Sequence, residues 1–160
     1  MLKLQARAVV IQRLVCLCLL CLLAPAFPQV SDTQSLVARI GVSDQQLFVV
    51  NGGTRWHRII TLTLVNEKAV AITDIHVTLK LALPVGASIE LEAIASSRGQ
   101  PGCKMVKTDS AMVMVTCLNI APGDAETATL SAENGCDAVQ MSVRSPVYST
   151  DETYTFGPPK

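Results

Sequence analysis

Apolar and polar residues alternate with a period of two along most of this chain, and no segment carries an apolar stripe at helical spacing. Ile60, Leu62 and Leu64 alternate with Thr61 and Thr63, and Ile75, Val77, Leu79, Leu81 and Leu83 with His76, Thr78 and Lys80. Ile89, Leu91 and Ala93 alternate with Glu90 and Glu92, and Val113, Val115 and Cys117 with Met112, Met114 and Thr116. Ala128 and Leu130 oppose Thr127 and Thr129, while Val139, Met141 and Val143 oppose Gln140, Ser142 and Arg144. A period of two places each row on one face, so every segment predicts a strand with a buried and a wetter side. An opening strand at Leu36–Val42 and a short one at Leu47–Val50 bring the expected number to seven to nine. Turn residues separate them at Asn51-Gly52-Gly53, Pro84-Val85-Gly86, Gln100-Pro101-Gly102, Pro122-Gly123-Asp124 and Asn134-Gly135. Short strands so punctuated predict an all-β fold, an antiparallel β-sandwich whose two sheets bury their inner rows against each other.

The first 26 residues have a different character. Lys3, Arg7 and Arg13 precede the apolar run Leu14–Leu23, and Ala24-Pro25-Ala26 follows, which predicts a cleaved signal peptide over 1–26. The run is about half of the roughly 20 residues that a bilayer-spanning helix requires. Bulky Val15, Leu17 and Leu20 before the cysteines Cys16, Cys18 and Cys21 argue against a bacterial lipid-attachment site. Cleavage would leave 134 of the 160 residues, enough for one domain with a core. The expected organisation is a flexible segment over 27–35, the β-sandwich domain over 36–156, and a tail over 157–160. Ten basic residues would then face thirteen acidic ones, so no surplus of positive charge is available to neutralise phosphates, and nucleic acid is excluded as a partner. No membrane-spanning segment is expected after signal removal.

Three cysteines remain in the mature chain: Cys103, Cys117 and Cys136. Export favours oxidation, and an odd number leaves one over. Cys103 and Cys117 flank a short hydrophobic hairpin whose ends come close together, so a Cys103–Cys117 disulfide is the expected bridge, with pairings to Cys136 as the alternative. Cys136 is then a free thiol or the site of an intermolecular disulfide linking a homodimer.

Several of these landmarks resemble a known family. Ile75–Ser88, closing on Leu83-Pro84-Val85-Gly86, is similar to the hallmark of a bacterial surface-repeat domain, domain of unknown function eleven. Cys117-Leu118-Asn119-Ile120-Ala121-Pro122-Gly123, leading into Ala125–Ala132, resembles its second hallmark, and Arg39–Val65 its opening half. The resemblance spans residues 36–156 in a single copy. It departs from the family pattern at Leu81, where an Asp is usual, and at Asn66-Glu67-Lys68, where an Asn-rich turn is usual. It implies an immunoglobulin-like sandwich of secreted and envelope proteins, with no established catalytic residues.

No residue pattern points to catalysis, a metal or a cofactor. His57 and His76 lack the company that a zinc site requires. No Gly-x-Ser-x-Gly elbow is present, and Glu90 and Glu92 read as charges on a wet strand face. Trp56, Tyr148 and Tyr154 are the only candidates for a sugar-stacking platform, and Asp151 and Glu152 alone fall short of a calcium cage. The sequence therefore predicts an exported, non-enzymatic interaction module of the cell envelope, periplasm or exterior. It would bind a protein partner through loops or an edge strand, with the hairpin Cys103–Cys117 and the loop Ser96–Gly102 as the first segments to test. A small secreted enzyme or enzyme inhibitor, or a ligand or metal carrier, is the alternative.

Overall fold

The structure, a computed structural model, describes residues 36–49 and 53–158. The expected signal peptide, the segment 27–35 and the last two residues of the tail lie outside them. Nine strands follow in chain order: β1 (Leu36–Val49), β2 (Gly53–Asn66), β3 (Ile72–Ala82), β4 (Ser88–Ser96), β5 (Cys103–Asp109), β6 (Met112–Ile120), β7 (Ala125–Glu133), β8 (Ala138–Ser145) and β9 (Tyr148–Thr155). They form a four-stranded sheet in the order β1-β2-β7-β4 and a five-stranded sheet in the order β5-β6-β3-β8-β9. Every neighbouring pair is antiparallel. No helix among the described residues is long and apolar enough to cross a membrane.

The alternating rows become the core. Ile60, Leu62, Leu64 and Leu130 on one sheet are buried, as are Ile75, Val77, Leu79, Val113, Val115, Val139, Met141 and Val143 on the other. Each such side chain contributes roughly 1.5–3 kcal/mol by leaving water, which offsets the cost of ordering the chain. A four-stranded sheet facing a β3-β8-β9 trio is the immunoglobulin-like arrangement, and the β5–β6 hairpin widens the second sheet from three strands to five. The connectivity has its own order, because β4 enters the first sheet before the hairpin forms rather than after it.

Two expectations are corrected, and one strand went unread. The separate strands Leu36–Val42 and Leu47–Val50 are one strand, β1, paired with β2 without interruption from Leu36 opposite Asn66 to Val49 opposite Gly53. The polar residues Ser43–Gln46 between them include neither glycine nor proline, and β2 pairs with them throughout, so the ladder runs on. In β4 the row Ile89, Leu91, Ala93 does not stay inward. A bulge between Leu91 and Ala93 shifts the register, Ala93 falls opposite the half-exposed Thr129, and Ile94 takes the place opposite buried Ala128. Finally, β9 has no alternating apolar row to announce it. It is an edge strand, and an edge needs little burial to pair on one side.

The turn Ala121-Pro122-Gly123-Asp124 shows why its residues were legible. The Asp124 amide donates to the Ala121 carbonyl at 3.1 Å, and Gly123 has φ 73°, the left-handed value that a type II turn requires after Pro. Asn66, buried at the end of β2, fastens this turn. Its amide Nδ2 donates to the carbonyls of Ile120 and Val70 at 2.8 and 2.9 Å, and its backbone exchanges hydrogen bonds with Gly123 and Asp124, each 2.9 Å.

Candidate functional site

Strands β2, β4, β6 and β8 end, and β3, β5, β7 and β9 begin, at the same end of the sandwich. The loop Ser96–Gly102, the foot of the β5–β6 hairpin and the β6–β7 turn therefore meet there. Between them lies an open groove of about 590 Å³, lined among others by Arg98, Gly102, Cys103, Leu118, Asp124 and Glu126.

Local geometry fixes each wall. Cys103 and Cys117 face each other across β5 and β6 and form the expected disulfide, which braces the hairpin beside the groove. Gly102 must be glycine, because a Cβ there would stand 2.7 Å from the Asn119 carbonyl oxygen. The loop is laced to the turn by Ser97, whose amide donates to the Ala125 carbonyl at 2.9 Å and whose hydroxyl donates to Asp124 Oδ1 at 3.2 Å. Arg98 reaches over the same turn. Its Nε lies 2.5 Å from Asp124 Oδ1, and Nη2 donates to the Pro122 carbonyl at 3.0 Å. Leu118 is 76% exposed on the rim.

The floor holds the unusual group. Glu126 pairs with Leu64 on the inner face of the first sheet, and only 5% of it is exposed. Its Oε1 accepts the Gly102 amide at 3.2 Å, while the buried Oε2 has no hydrogen-bond partner among the described residues. A buried carboxylate oxygen without a donor is costly, more so if the group is ionised.

At the opposite end, Arg58 holds the matching inner position, opposite Ala132 and 3% exposed. Its Nε and Nη2 donate to the two Asp44 oxygens at 2.7 and 3.0 Å. Nη1 donates to the Cys136 carbonyl at 2.7 Å, Nη2 to the Gly157 carbonyl at 2.9 Å, and the guanidinium stands 5.6 Å from the Phe156 ring centroid. The Asp44 hydrogen bond raises the Arg58 pKa above its ordinary value.

Cys136 beside it is a free thiol, 1% exposed, with Sγ donating to the Ala138 carbonyl at 3.1 Å. Burial pushes its pKa up. The intermolecular disulfide and the homodimer that it would link are therefore not supported, since no partner sulfur reaches an atom enclosed by the core.

The other sequence candidates scatter. His57 lies in a trough of about 340 Å³ with Glu92 and Ser131, but the Ser131 hydroxyl donates to Glu92 at 2.6 Å, so no imidazole base holds it. His76 belongs to the other sheet, and Glu90 is exposed. Asp151 and Glu152 diverge: Asp151 bonds Ser142 and Arg144, which lowers its pKa, whereas Glu152 accepts the Tyr154 hydroxyl. Tyr148 and Tyr154 share a cleft of about 260 Å³ with Arg39 and Glu152 along the β1–β9 seam, and Trp56 is half-buried elsewhere on β2. Among the described residues no three metal-ligating side chains cluster. Glu126 and Arg58 were missed, although both stand two residues before an apolar inward row, at Ala128 and Ile60, where the alternation assigns them to the inside.

No family model and no curated protein matches this sequence. Among solved structures the chain is similar to the chitin-binding domain of a hyperthermophilic chitinase from Pyrococcus furiosus, with TM-score 0.42 and 12% identity over 77% of this chain and 99% of that one. It is also similar to a family 3b carbohydrate-binding module from the biomass-sensing system of Clostridium clariflavum, with TM-score 0.41 and 14% identity over 78% and 97%. A family 3a carbohydrate-binding module from the scaffolding of Clostridium thermocellum gives 0.40 and 10% over 72% and 100%.

Proposed function

We propose that this chain is an exported, non-catalytic binding module that engages a partner through the groove at its loop end. The observation that carries the reading is the convergence of three separate segments, braced by a disulfide and by Asn66, around an open groove with a half-satisfied acid at its floor. Among the described residues the other buried side-chain polar atoms are hydrogen-bonded, which is what a scaffold requires and a site does not. The signal-like leader supports export, and oxidation of Cys103 and Cys117 suits an extracytoplasmic setting. The resemblance of Leu83-Pro84-Val85-Gly86 and Cys117–Gly123 to bacterial surface-repeat motifs favours an envelope or secreted location. The test is capture of partners from the native envelope fraction by the mature protein and by Leu118→Arg, which plugs the groove from an exposed rim position. Loss of capture with an unchanged circular-dichroism spectrum is expected. Equal capture by both proteins would overturn the reading.

A second reading, carbohydrate binding, is favoured by the seam cleft where Tyr148 and Tyr154 lie beside Arg39 and Glu152. It predicts that the protein sediments with insoluble chitin or cellulose and that Tyr148→Ala releases it. Retention of the protein in the supernatant removes this reading.

A further inference from the structure

We infer that the groove is a receptor for a primary alkylammonium group, such as a lysine side chain of a partner, with Glu126 as its acceptor. The inference rests on the groove being the binding site. Glu126 is 5% exposed, its Oε1 is engaged by the Gly102 amide, and its Oε2 is buried without a partner. A buried carboxylate gains most from a donor that also brings positive charge, because such a group supplies both the hydrogen bond and the compensating charge. Among the described residues no side chain supplies such a donor to Oε2. Arg98 is tied to Asp124 and the Pro122 carbonyl. Lys104 lines the same groove but does not donate to Glu126 Oε2, and it pairs with Thr116 on the alternate strand face from the disulfide. The walls suit an aliphatic stem: Leu118, Pro101 and Cys103 line the approach to the acid. A lysine combines this stem and head, burying its methylenes against an apolar wall while its ammonium reaches a polar one.

The arrangement makes a second, less obvious demand. Asp124 is neutralised by Arg98 at the same groove, so Arg98 competes with an incoming cation. Removing it frees a second carboxylate for the ligand.

The test uses the mature protein and three probes, followed by NMR shifts of the Gly102 and Glu126 amides: butylamine, Nα-acetyl-lysine methylamide and the Nε-acetylated, uncharged form of the latter. Both ammonium probes are expected to bind, the uncharged probe roughly tenfold more weakly or worse, and Glu126→Gln to weaken the ammonium probes by a similar factor. Arg98→Ala is expected to tighten them. Equal affinity for charged and uncharged lysine probes, unchanged binding by Glu126→Gln, or weaker binding by Arg98→Ala would each overturn the inference. If Leu118→Arg abolishes partner capture while Glu126→Gln leaves it intact, the groove remains the binding site and only the ammonium assignment fails.

Discussion

Arg58 and Glu126 hold matching places at opposite ends of one inner sheet face, yet the protein treats them differently. Arg58 is surrounded by acceptors from β1, the β7–β8 loop and the C-terminal segment, and its charge is balanced by Asp44. Glu126 has one backbone donor and an oxygen with none, beside a groove rather than beneath a cover. A buried charge saturated by its own chain is part of the scaffold. One left half-satisfied at the floor of a groove is a group that the scaffold does not complete by itself.

The contrast can be broken most directly at the arginine end. Arg58→Ala removes the ion pair with Asp44 and the donors to two carbonyls, and a loss of about 3–5 kcal/mol is expected from urea denaturation. The same variant should speed labelling of Cys136 by a maleimide, since the thiol is shielded by that end of the core. A loss under about 1 kcal/mol would show that the arginine network is not structural.

Next in size is the disulfide. Cys103→Ser with Cys117→Ser should cost roughly 3 kcal/mol by lengthening the free chain of the unfolded state. It should also weaken partner capture, because the hairpin foot forms a groove wall. Full stability after reduction would remove the brace from the account.

At Glu126 the sign is expected to turn. Glu126→Gln keeps the shape and removes an uncompensated charge, so stability should stay level or rise by about 1 kcal/mol. A loss as large as that of Arg58→Ala would make the two ends equivalent and end the distinction between scaffold and site.

The last test lies at the seam between the ends, and it sharpens the contrast by showing what a half-buried polar group does. Burial and the Glu152 hydrogen bond raise the Tyr154 pKa from 10.0 to about 12. The folded state therefore holds this proton more tightly than the unfolded chain. The resulting stability is complete below pH 10 and disappears as the pH rises towards 12. Melting curves across this window should fall for the wild type and fall less for Tyr154→Phe.

Much of this architecture was legible because it is local. The rows at Ile60–Leu64, Ile75–Leu81 and Val139–Val143 mark buried strand faces, since alternate side chains must point opposite ways whatever surrounds them. Pro122-Gly123 specifies its own turn through two backbone angles. Facing cysteines on a hairpin needed only that the hairpin form. The segments read wrongly depend on neighbours: β1 continued through Ser43–Gln46 because β2 lay alongside, and Ile94 replaced Ala93 because a bulge fitted β4 to β7.

Sequence alone determined most of the strands, their wet and dry faces and the turns, and it favoured the cysteine pair, because each follows from the pleat or from a few consecutive torsions. Only the tertiary structure decided that Arg58 would be saturated and Glu126 left one donor short. That outcome depends on which distant segments, Gly157 at one end and Gly102 at the other, come to rest over the same sheet. Hydrogen bonds act over about 3 Å, so such a partner is fixed only when the two sheets close.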